Sequence, residues 1–176
     1  MAAVLPTTVV ASVSLVNNVP AAQPTVSSSS YKLPNGSDFK IKIILGRFQT
    51  ALETINKSNE ATQKLFKPSL ETTIRLVAGF DQLQPTTVIK MARDVCFAHY
   101  AFTSCAGERL PYKVERDIKN YEEMVLRKRD LLKSISNFDD NVDGFENADQ
   151  SKEVMEKTVN FISYYSQYAD DVSKKV

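Results

Sequence analysis

The chain has 176 residues, of which 43% are hydrophobic and 24% charged, so it is long enough and apolar enough for one ordinary globular domain. Lys plus Arg number 22 and Asp plus Glu 21, and a formal net charge of +1 gives no global basic excess for nucleic acid or an anionic membrane. Only 5 glycines are present, too few for the turns of a typical sheet-rich domain, which favours helices.

Residues 1–31 carry no charged side chain; the first is Lys32. No basic n-region precedes a compact apolar run, so the segment does not read as a secretory signal. Pro6, Asn17, Asn18 and Pro20 interrupt it well short of a membrane span. It is Ser-rich and acid-poor like a transit peptide but contains no Arg. Two readings remain for an N-terminal arm over 1–36: a flexible tail, or an adhesive arm that lies on a neighbouring subunit. The second draws on Val9, Val10, Val13, Leu15 and Val16, which can be buried against protein without desolvating a charge.

From residue 37 to residue 176 apolar residues recur at helical spacing, which predicts a single all-α domain. The first helix carries Ile41, Ile44, Leu45, Phe48, Leu52 and Ile55, with Ser37 as its N-cap and Pro68 stopping it after Phe66. A short second helix carries Leu70, Ile74, Val77 and Phe80, ends at Gly79 and is closed off by Pro85. The third is the clearest, with Val88, Met91, Ala92, Val95, His99 and Phe102 on one stripe, a cap at Thr86 or Thr87, and an end at Gly107 and Pro111. The fourth starts near Tyr112 and carries Val114, Ile118, Tyr121, Val125, Leu132 and Ile135, with Arg127, Lys128 and Arg129 on a charged face. The fifth spans 151–172 with Val154, Thr158, Phe161, Ile162, Tyr165, Ala169 and Val172. About five amphipathic helices bury their stripes best as a bundle or in globin-like packing.

Cys96 and Cys105 stand nine residues apart, about 13.5 Å along one helix, so they read as reduced thiols that pack, in an intracellular compartment. His99 lies one turn from Cys96, the pairing of an activated nucleophile. Both sit on or beside the apolar stripe, however, which makes a core or interface histidine the preferred reading. The run 139–150 opens like a calcium loop, with Asp139, Asn141, Asp143 and Gly144 at positions 1, 3, 5 and 6. Gln150 at position 12 supplies no bidentate carboxylate, so an acidic interhelix loop competes with a degenerate metal site. Arg127, Lys128, Arg129 and Lys133 make a basic spot interleaved with Glu122, Glu123 and Asp130, which i,i+4 pairing explains without nucleic acid. No phosphate-binding glycine loop, HExxH or GxSxG run occurs, and the chain reads as non-catalytic.

Two stretches resemble phycobiliproteins of the phycoerythrin α type. Asp94-Val95-Cys96-Phe97-Ala98-His99-Tyr100-Ala101-Phe102 is similar to a helix of that family, and Lys113-Val114-Glu115-Arg116-Asp117-Ile118 with Tyr121 is similar to its bilin-binding Lys-Cys-x-Arg-Asp stretch. Lys90-Met91-Ala92-Arg93-Asp94 fits the same pattern in a second register. The resemblance implies a globin-like helical chain within a phycobilisome-like antenna, in a plastid or a cyanobacterial cytoplasm. It implies Arg116 and Asp117 as bilin contacts, and leaves Cys96 or Cys105 for any thioether, because the family's cysteine is Val114 here. The function expected is therefore a structural component of such an antenna, linker-like or colourless, held to protein subunits by its helical faces and arm. The alternatives are a self-assembling helical coat-type subunit and a calcium-responsive module.

Overall fold

The computed structural model describes residues 37–83, 85–138 and 144–176. Among them are six α-helices, one 3-10 turn and no strand: α1 (Ser37–Asn56), α2 (Glu60–Ala78), the turn Phe80–Gln82, α3 (Pro85–Arg109), α4 (Tyr112–Arg116), α5 (Tyr121–Ser136) and α6 (Gly144–Lys175). The fold is an all-α bundle, as the periodicity predicts. The arm over 1–36 lies outside the described residues.

The central helix is α6, which packs against α1, α3 and α5, while α2 bridges α1 and α3. Its inward stripe is the expected one: Val154, Thr158, Phe161, Ile162, Tyr165, Ala169 and Val172 are all buried. So are Val88, Met91, Ala92, Val95, His99 and Phe102 of α3. Phe48 meets Tyr165 edge-to-face at 4.8 Å, and Phe66 meets Phe102 at 5.3 Å. Each buried ring or branched aliphatic removes enough apolar surface from water to contribute about 1.5–3 kcal/mol.

The boundaries differ from expectation at four places, one of them the start of α6, which lies at Gly144 rather than 151 and so takes residues 144–150 of the expected acidic loop into the helix. The first predicted helix is two. Lys57, Ser58 and Asn59 break it, and Asn59 restarts the chain by accepting the Thr62 N–H at 2.9 Å. That cap satisfies an otherwise orphan donor, a contribution of about 1 kcal/mol. Pro68, expected as a stop, lies inside α2 on its exposed side. Water can meet the Lys64 carbonyl that has lost its usual N–H partner, and the Cys105 thiol donates to the neighbouring Leu65 carbonyl at 3.2 Å.

Pro85 opens α3 rather than closing a connection, because a first-turn position needs no N–H. Thr86 and Thr87 therefore sit inside the first turn, and α3 runs through Gly107 to Arg109.

The third difference shapes the surface. The predicted fourth helix is split at 117–120, where Asn120 adopts a left-handed conformation with φ 65°. Asn tolerates that conformation better than most residues, and its side-chain amide reaches Gln167 Oε1 at 3.2 Å. The break re-phases α5. Met124, Leu131 and Ile135 face inward with Ile118, while Val114, Val125 and Leu132, expected in the core, are 39%, 38% and 46% exposed.

Candidate functional site

The helix α3 delivers His99 to the meeting point of α3, α5 and α6. The imidazole is 4% exposed. Phe161 and Tyr165 of α6 meet it edge-to-face at 4.9 and 4.8 Å, and Tyr168 lies at 6.2 Å. From α5, Lys128 Nζ approaches His99 Nδ1 to 2.9 Å. An ammonium can only donate, so Nδ1 accepts and the ring proton sits on Nε2. Nε2 is buried with no conventional partner, which leaves the surrounding π faces as its contacts. Burial, and then the neighbouring ammonium, hold the His99 pKa well below its ordinary value, so the ring is neutral at pH 7.

Lys128 is itself half-buried, and burial lowers its pKa. Among the described residues it has no carboxylate partner. Nor do Arg129 and Lys133, whereas Arg127 takes both Glu123 at 3.1 Å and Asp130 at 3.8 Å.

A second polar contact crosses the bundle lower down. Tyr168 Oη donates to Glu115 Oε2 at 2.5 Å, and Glu115 is 8% exposed. Burial, followed by the carboxylate beside it, pushes the Tyr168 pKa upward, so the phenol keeps its proton. Tyr165 Oη and Thr73 Oγ1, 3.0 Å apart, close a third such contact to α2. Each hydrophobic ring thus brings a polar tip that finds a partner. The apolar stripe announced the ring of Tyr165 but not that of Tyr168, which is buried as well. It gave no sign that Glu115, in the middle of Lys113–Asp117, would be the buried acceptor.

The residues singled out from sequence do not converge. Cys96 is buried and its thiol is pushed up to about 11 by burial, against a small opposing effect of Lys128. Cys105 is partly exposed, bonded to the Leu65 carbonyl, and also raised, first by burial and then by Glu108. Neither thiol has the lowered pKa of an activated nucleophile. Arg116 stacks on Tyr112 and Tyr121, 5.0 and 5.3 Å from the ring centres, and bonds the Tyr112 hydroxyl. Asp117 pairs with Lys113 at 2.8 Å. A groove of about 380 Å³ beside Arg116 is lined by Tyr121, Glu122, Val125, Leu126 and Arg129, with no cysteine among its described lining residues. Asp139, Asn141 and Asp143 lie outside the described residues, and among those described no group of three His, Cys, Asp or Glu could hold a metal ion. No described helix is long and apolar enough to cross a membrane.

Against models of known protein families, curated proteins and solved structures, the chain matches nothing.

Proposed function

We propose that the chain is a non-catalytic subunit of a protein assembly, and that the face of α4 and α5 is where it meets its neighbours. The observation that carries this reading is the two-sided apolarity of α5. Met124, Leu131 and Ile135 point into the bundle, yet Val125, Leu126 and Leu132 are 38%, 44% and 46% exposed. Tyr112 and Val114 of α4 add 72% and 39% exposed apolar surface. Among the described residues, five of the eight large exposed hydrophobics thus fall on two consecutive helices. Exposed apolar side chains gathered on neighbouring helices mark a contact site more often than singly scattered ones do. Arg116, spread over two tyrosine rings, adds the aromatic–arginine chemistry common in interface centres.

The assembly to which the sequence resemblance points is a phycobilisome-like antenna, with this chain as a colourless or linker-like component. The buried thiol of Cys96 speaks against a thioether there, which would require opening the core, and leaves the partly exposed Cys105 as the position at which a pigmented chain would carry one. Sizing of the native material is the test. A complex well above the 19.7 kDa of one chain is expected. Material that elutes only at monomer size at every concentration would refute the reading. A denaturing gel stained for zinc-enhanced bilin fluorescence then separates the antenna from a coat-type particle: fluorescent partner bands beside a dark band for this chain fit the antenna, and no fluorescent band at all fits the coat.

A further inference from the structure

Along α5, beside His99 of α3, runs an open surface groove of about 520 Å³. Its walls are Val125 and Leu132; Lys128, Arg129 and Lys133 stand along it, and His99 forms part of its floor. The three cations have no carboxylate within ion-pair distance among the described residues, although the same helix pairs Arg127 twice. Lys128 is the informative one. Its ammonium is half-buried, and among the described residues its one polar contact is Nδ1 of His99 at 2.9 Å. An ammonium has three N–H bonds, so two remain for other acceptors. Withdrawing a charge from water without a counter-ion is costly, and an anion entering the groove would remove that cost.

We propose that this groove binds a single-chain amphiphile with a carboxylate head, of the fatty-acid class. The head sits between Lys128 and Lys133 with Arg129 beside them, and the tail lies along Val125 and Leu132. The apolar walls favour an alkyl chain over a nucleotide or a sugar, and the row of unpaired cations selects an anionic head over a neutral one. His99 contributes by position. Neutral, it accepts one Lys128 N–H and holds the ammonium at the groove floor without competing for the anion. Val125 and Leu132 also belong to the proposed contact face, so ligand and neighbouring subunit compete for this stretch of α5, and decanoate binding to the chain without a partner tests the groove apart from that face.

Isothermal titration of the full chain with decanoate, below its micelle concentration, tests it, with decanol as the uncharged control. Saturable one-to-one binding of decanoate is expected, with decanol at least about tenfold weaker. Lys128→Met keeps the apolar stem, and it should weaken decanoate about tenfold while leaving decanol unchanged. Lys133→Gln provides a second variant at an exposed position and should weaken decanoate in the same direction. Absence of saturable binding would overturn the proposal. So would equal affinity for the two ligands, or decanoate binding indifferent to both substitutions in variants whose circular dichroism matches the parent.

Discussion

Lys128 Nζ stands 2.9 Å from His99 Nδ1, and this one distance assigns the tautomer of the chain's single histidine. The contact is between a cation and a neutral base, both withdrawn from water, so protonating the imidazole would place two positive charges side by side.

The stability of the fold should therefore depend on pH through His99. Its folded pKa is depressed far below 6.5, whereas the unfolded chain titrates near 6.5. Below pH 6.5 the unfolded state takes up a proton that the folded state refuses. The contribution is fully present above 6.5 and is lost as pH falls, at about 1.4 kcal/mol per pH unit at most. Denaturant melts at pH 7 and pH 5 should differ accordingly, and His99→Phe should reduce the difference. A nitrogen-15 spectrum showing an imidazolium at pH 6 would contradict the assignment.

Tyr168 and Glu115 make the second prediction. Tyr168→Phe leaves a buried carboxylate without its donor, and the fold should lose about 1–3 kcal/mol. Removing both partners with Glu115→Met in the same chain should recover part of that loss, because the orphaned charge goes too. A double-mutant cycle reads the coupling. Strict additivity of the two substitutions would show that the contact contributes nothing.

The two thiols should separate in alkylation. Cys96 is buried with its pKa at about 11, so iodoacetamide at pH 8 should reach it only through opening of the bundle. Cys105, partly exposed, should react faster. The raised Cys96 pKa also predicts a loss of stability as pH rises from 9 toward 11, because the unfolded thiol ionises first. Cys96→Ala should flatten that alkaline slope. Equal modification rates at Cys96 and Cys105 would contradict the burial difference.

Much of this architecture is written in the apolar spacing. The stripes of α3 and α6 are legible residue by residue, because long uninterrupted helices keep one phase from end to end. What the spacing hides are events that reset the phase. Asn59 interrupts an apolar run whose period continues on both sides of it. Pro68 looks like a terminus, yet it is tolerated on an exposed side where water can replace the lost bond. Asn120, in its left-handed conformation, breaks the predicted helix, and of its stripe Ile118 and Ile135 stay buried while Val125 and Leu132 are exposed. The site is less legible than the fold. Lys128 reads as one of three consecutive basic residues, and nothing local separates it from Arg127, which is paired, or Arg129, which is not. Only the approach of α3 makes it the residue that meets His99.

The uncharged residues 1–31 offer a test of assembly separate from the helical face. If Val9, Val10, Val13, Leu15 and Val16 lie against a neighbouring subunit, deletion of 1–31 should reduce assembly size in light scattering. An unchanged size distribution would assign the arm no bridging role.

The central claim is that α4 and α5 form a contact face, and sedimentation velocity on the Leu126→Lys, Leu132→Lys double variant tests it most directly. Both side chains are more than 40% exposed, so the substitutions should leave the monomer's fold intact by circular dichroism. The parent is expected to sediment as a complex and the variant as a 19.7 kDa monomer. A variant that sediments with the parent, at the same concentrations and in the same buffer, would contradict the account.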